Sequence, residues 1–152
     1  MEMAMFIHWE RSLYVEYPLI DDEHRMLLWL CRKLQLAVTS DMSHIAIKCA
    51  CIELEAFTKF HIVSEENLMH EVGYPDVFEH SKAHAHLLVS LRRMTEDITH
   101  GKFGEIGVAD FLNRWLIYHI EHHDKKVGEF LLSSTTRPIA EKYYGPFLKE
   151  VS

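Results

Sequence analysis

Apolar residues recur along this chain at three- and four-residue steps, and four long stretches carry the recurrence. That period predicts amphipathic α-helix, because residues three and four apart share a helix face. The first helix is expected to start near Asp21 or Asp22, either of which suits a cap, and to run to about Thr39. Its inward stripe is His24, Leu27, Leu28, Cys31, Leu34 and Val38. The second follows the turn Thr39-Ser40-Asp41-Met42-Ser43 and runs to about Val72, where Gly73 and Pro75 stop it. Its stripe is Ala50, Leu54, Phe57, His61, Glu65 and Leu68. The third covers about Asp76 to Thr99 and ends near Gly101, with His80, His84, Leu87, Leu88, Leu91, Thr95 and Ile98 inward. The fourth covers about Val108 to Leu132, with Phe111, Leu112, Trp115, Leu116, His119 and Ile120 inward, and the run Ser133-Ser134-Thr135-Thr136 ends it.

Four such helices joined by short turns predict an all-α fold, an up-down-up-down antiparallel four-helix bundle. Residues 1–20 predict an irregular arm whose aromatics Phe6, Trp9, Tyr14 and Tyr17 lie across the bundle. A short C-terminal helix is expected after residue 136, with Pro138 in its first turn and Gly145-Pro146 breaking it. A chain of 152 residues makes one domain, long enough to bury a sizeable core without disulfides or metal.

Each inward stripe also carries side chains that do not belong in an apolar core. They are His24 on the first helix, His61 and Glu65 on the second, His80 and His84 on the third, and His119 with Asp124 on the fourth. A step of four places two side chains about one helical turn apart on one face, the geometry that grips a metal ion. A buried carboxylate is costly unless it is paired or metal-bound. Imidazole and carboxylate together suit iron, zinc or manganese better than calcium or magnesium.

The fourth helix leaves a choice open. His119 and His123 are four apart, a regular ligand pair, whereas Asp124 is five past His119 and lies about 140° round an ideal helix. A π-type widening of the helix would bring Asp124 back into line. His8, His44, His70, His86, His100 and His122 fall on ends, arms or outer faces and read as solvated.

The formal net charge of −7 argues against nucleic acid and anionic membranes as partners. The first 21 residues predict no signal peptide, and no apolar run approaches the ~20 residues of a membrane span. Three cysteines, Cys31, Cys49 and Cys51, read as free thiols in a reducing cytoplasm.

The motif set resembles that of the single-domain bacterial hemerythrins, the bacteriohemerythrins. The matching segments are Ile20-Asp21-x-Glu23-His24, His61-x₃-Glu65-Glu66-x-Leu68-Met69, Gly73-Tyr74-Pro75, His80-x₃-His84, and Trp115-Leu116-x₂-His119-Ile120-x₃-Asp124-Lys125. They span about Trp9 to Phe130, which makes 9–130 the core of one domain and 133–152 a C-terminal extension. The resemblance implies a non-haem pair of iron ions. His80, His84 and His119 would hold one iron, and His24 and His61 the other, which keeps an open position. Glu65 and Asp124 would bridge the two with a solvent-derived oxygen, so the resemblance chooses Asp124 over His123.

The implied function is reversible binding of dioxygen for storage or delivery, without enzymatic turnover. Leu28, Ile62, Trp115 and Leu116 are the candidate walls of an apolar oxygen pocket. Two positions depart from the family pattern. Ile62 stands where Phe usually follows the His, and Val127 stands where Tyr usually follows the bridging Asp by three. Neither is a ligand, so the departures touch packing round the pocket.

Two other function classes compete. An oxygen or redox sensor would signal through the tail Arg137 to Ser152. A di-iron peroxidase or ferroxidase would be expected to show Glu-x-x-His motifs, and no Glu here has His three residues later.

Overall fold

A computed structural model describes residues 8–102 and 104–133. Their regular structure is entirely helical. α1 spans Pro18–Thr39, α2 His44–Val72, α3 Val77–Thr99 and α4 Glu105–His119. A π-helical turn, Ile120–Asp124, follows α4 directly, and α5, Lys125–Leu131, continues from it. α4, the π turn and α5 together form the fourth rod. α1 packs on α2, α2 on α3, α3 on α4 and α4 back on α1, which closes the four-helix bundle.

Local chemistry sets the helix ends. Ser43 Oγ accepts a hydrogen bond from Ala46 N at 3.2 Å and caps α2. Gly73 closes α2 in the left-handed conformation (φ 70°), and Tyr74 N bonds back to Met69 O at 2.9 Å. α1 starts earlier than Asp21 or Asp22, at Pro18. Proline lacks the N–H that the first helical turn leaves unpaired, and its φ is already helical. Asp21 is therefore not the cap. Its Oδ1 accepts from Val15 N at 2.8 Å and ties the incoming arm to the bundle. α4 likewise begins before Val108, at Glu105, and the fourth rod is interrupted by the π turn.

The arm is partly ordered. Arg11–Leu13 form a 3₁₀ turn, and Leu13, Val15 and Tyr17 are buried. The Trp9 and Tyr14 rings meet edge-on at 5.0 Å, and the Arg25 guanidinium of α1 lies about 5 Å from each. Phe6 and the expected C-terminal helix fall outside the described residues.

Two layers fill the interior. Toward the α1–α2 turn the core is apolar, with Leu34, Leu54, Leu91, Met94 and Leu112 almost fully buried. On α3 the buried apolar residues are Leu87, Leu91, Met94 and Ile98, while Leu88 and Thr95 sit half-buried at the edge of the stripe. Val38, Phe57 and Phe111 are edge positions of the same kind. The other layer, nearer the α2–α3 turn, holds all seven polar residues of the four stripes. Cys31 and Cys51 are buried and Cys49 is exposed, all three as free thiols.

Gly128 of α5 lies against the arm. A Cβ on it would fall inside the radius of the Val15 carbonyl oxygen and 2.9 Å from Val15 Cβ. Alanine normally gains about 1 kcal/mol over glycine inside a helix, but overpacking of this kind costs about 1–3 kcal/mol. Gly128→Ala is therefore expected to lower the thermal unfolding temperature. An unchanged or higher midpoint would show that the arm does not pack against α5 in this way.

Candidate metal centre

The polar layer is built from all four rods. His24 lies on the second turn of α1, His61 and Glu65 late in α2, His80 and His84 early in α3, His119 at the end of α4, and Asp124 at the end of the π turn. Antiparallel packing brings these levels together. All seven are at most 4% exposed.

Their donor atoms converge in two overlapping groups, each within 4.8 Å. Glu65, His80, His84, His119 and Asp124 form one, and His24, His61, Glu65 and Asp124 form the other. Both carboxylates belong to both groups. The same three-and-two division of the histidines follows from the resemblance drawn on sequence. The closest approaches are His24 Nε2 to Asp124 Oδ2 at 2.8 Å, His61 Nε2 to Glu65 Oε2 at 2.9 Å and His119 Nε2 to Asp124 Oδ1 at 3.0 Å. His80 Nε2 lies 3.1 Å from Asp124 Oδ1, and His84 Nε2 lies 3.5 Å from Glu65 Oε2.

These contacts are close without being good hydrogen bonds. Five imidazole Nε2 atoms and four carboxylate oxygens of the centre are buried with no partner in hydrogen-bond geometry. Each such atom costs on the order of 1–3 kcal/mol when left unpaired. Elsewhere in the interior Gln35 buries two unpartnered amide atoms, but they belong to a single neutral side chain. Nine lone-pair donors aimed at a common space fit cations, and a mixed imidazole–carboxylate set fits iron, zinc or manganese.

Two glutamates orient the imidazoles from behind. His61 Nδ1 donates to Glu23 Oε1 at 2.9 Å, and Ser64 Oγ donates to Glu23 Oε2 at 2.7 Å. His84 Nδ1 donates to Glu66 Oε1 at 2.9 Å. A proton held on Nδ1 leaves Nε2 of each ring free to face the interior. Neither glutamate was found from spacing alone. Each is the sequence neighbour of an inward residue, so it reads as the flank of a motif. The usable signal for Glu23 was its place four before Leu27, which puts it at the edge of the α1 stripe.

Electrostatics follow from this crowding. Burial opposes charge on His61, but Glu23 and Glu65 outweigh it and lift the pKa to about 10. Burial likewise opposes the Glu65 anion, and so does the Asp124 charge, yet His61 and His84 bring its pKa to about 2. Asp124 is held well below the carboxylate range despite burial, by His119 and His24.

The π turn sets which of the two side chains, His123 or Asp124, faces inward. Five residues in one widened turn carry Asp124 into the interior, where it is 0% exposed. His123 is half-buried on the outside of the centre, and its ring lies 5.1 Å from that of His119. Of the candidate pocket walls, Leu28, Trp115 and Leu116 are buried and Ile62 is half-buried. Trp115 Nε1 donates to Leu87 O at 2.8 Å, which fixes the indole between α4 and α3. Val127 is fully buried in the core. His8, His44, His70, His86, His100 and His122 are all exposed.

Comparison with known proteins agrees with this architecture. Residues 15–131 match the hemerythrin HHE cation binding domain. A bacteriohemerythrin of Stenotrophomonas maltophilia is 32% identical over 131 residues, covering 84% of this chain and 82% of that protein. A myohemerythrin of Sipunculus nudus is 30% identical, covering 78% of this chain and 88% of that protein. A crystal structure of wild-type hemerythrin superposes with a TM-score of 0.74 at 22% identity, covering 85% of this chain and all of that one. A family match over most of the length, with a helical bundle of the same shape, makes this chain a member of the hemerythrin family.

Proposed function

We propose that this protein binds dioxygen reversibly at a non-haem di-iron centre held by His24, His61, Glu65, His80, His84, His119 and Asp124. The observation that carries the proposal is the pair of overlapping donor groups that share Glu65 and Asp124. One cation would not need two groups, and two unrelated cations would not share both carboxylates. Relatives named bacteriohemerythrin and myohemerythrin support the same reading. The role is storage or delivery of oxygen, by binding and not by turnover.

Two ferrous ions, when bound, supply two electrons and an open coordination position to dioxygen. The chain supplies the conditions under which that exchange reverses. Glu65 and Asp124 bring two negative charges that compensate the buried cations. Glu23 and Glu66 hold His61 and His84 in one tautomer and one orientation. Leu28, Ile62, Trp115 and Leu116 wall the pocket and exclude water and stray protons. Trp115 spends its only side-chain donor on the Leu87 carbonyl, so it offers no proton to the pocket. Leu28 and Leu116 have none to offer. Three free thiols support a reducing compartment, and we place the protein in the cytoplasm. No helix among the described residues is long and apolar enough to cross a membrane.

Reduced, iron-loaded protein is expected to gain a visible absorption band in air and to lose it under inert gas, through repeated cycles. A single irreversible change on first exposure to air would remove oxygen storage from consideration. Asp124→Ala is expected to lower iron affinity by more than tenfold, since loss of even an outer partner of a metal ligand typically costs ~10–100-fold. His123→Ala should leave equilibrium iron content near that of the wild type. Metal analysis after equilibration decides the matter, and the opposite pattern would place His123 and not Asp124 at the iron.

A further inference from the structure

The seven residues of the centre are not equally shut away. His24, His61, Glu65, His84 and Asp124 are 0–1% exposed, whereas His80 and His119 each keep 4%. The centre therefore comes nearest to solvent between α3 and α4. An open cleft of about 440 Å³ lies on that side, and His119 forms part of its wall. Glu79, His86, Trp115, Tyr118 and His123 line the same cleft.

His123 borders both the cleft and the centre. Its ring centroid lies 5.9 Å from His80, 5.1 Å from His119 and 6.4 Å from Tyr118. It thus touches the two least buried residues of the centre. The π turn puts it there, because carrying Asp124 inward leaves the preceding residue half-buried on the cleft side. Two cationic side chains also line the cleft, and both are already paired. Lys82 lies 3.1 Å from Glu79, and Arg114 lies 3.1 Å from Asp110. The cleft accordingly presents imidazole donors beside one paired carboxylate, without an uncompensated positive field.

A cation cannot reach a closed centre with its hydration shell intact. An imidazole at the threshold can take the place of departing water, since imidazole binds divalent iron well. We infer that the α3–α4 cleft is the loading route of the centre and that His123 is its transfer ligand. His123 would offer a ring nitrogen in place of one water on the arriving ferrous ion, and His119 and His80 would then displace that nitrogen and a second water. No electron moves, and the protons displaced from the centre leave to solvent. This inference rests on the di-iron reading given above.

The test separates rate from endpoint. Metal-free, full-length protein is mixed anaerobically with ferrous ion, loading is followed by competition with a chromogenic ferrous chelator, and bound iron is measured at equilibrium. His123→Leu is expected to load about tenfold or more slowly, the scale on which loss of a metal-supporting partner acts, and to reach the wild-type endpoint. His123→Glu, which restores a donor at the threshold, should load at the wild-type rate. If His123→Leu folds poorly, His123→Gln, closer to imidazole in shape, carries the same expectation. Equal rates for wild type and the Leu or Gln variant would overturn the route. Slow loading in the Glu variant as well would overturn it too, by showing a packing effect. Failure of wild-type protein to bind two irons would instead overturn the di-iron reading beneath it.

Discussion

The interior of this bundle must hold two carboxylates and five imidazoles at a depth where unpaired charge is expensive. Glu65 and Asp124 are both 0% exposed, and an isolated carboxylate in such a place would normally take up a proton. Here imidazoles crowd round each one at 2.8–3.5 Å and shift its pKa downward, against the effect of burial. The arrangement is balanced only if positive charge is always present, as protons on histidine or as cations between the donor atoms. Because those atoms sit outside hydrogen-bond geometry, protons compensate the charge without satisfying the directions of the lone pairs. Cations would do both.

The scaffold serves that requirement. Four rods are needed because no single helix can aim seven side chains at one space. The α2–α3 turn, closed by left-handed Gly73, brings His61 and Glu65 level with His80 and His84. The arm is held by Asp21 and packs on Gly128, steadying the start of α1 and the end of the fourth rod, where His24 and Asp124 sit. Glu23 and Glu66 then remove the rotational freedom that His61 and His84 would otherwise keep. The π turn replaces the α-helical i→i−4 pattern with i→i−5 bonding, as from Lys125 N to Ile120 O, and so moves Asp124 onto the inward face.

Much of this was legible in the chain. A repeat of three and four residues locates all four rods, and histidines standing on that repeat give a direct sign of a polar interior. Pairs such as His61 with Glu65 are readable because a regular helix converts a step of four into proximity. What spacing could not decide was the fourth rod, since His119 pairs equally well with His123 on a regular helix and with Asp124 on a widened one. Backbone widening is a property of the packed bundle and leaves no local mark in the sequence. Glu23 and Glu66 escaped for a related reason: their partners lie 38 and 18 residues away, beyond any local pattern. The start of α1 was missed because Asp21 has the composition of a cap and the tertiary task of holding the arm.

The shared carboxylates make one claim above all, that the centre holds two cations as a unit. An anaerobic titration of metal-free protein with ferrous ion measures this directly. Binding should saturate at about two irons per chain in a single sharp transition, because Glu65 and Asp124 belong to both donor groups and each cation helps to place the other. Saturation at one iron per chain, or two well-separated steps in which Asp124→Ala abolishes only one, would contradict a shared centre.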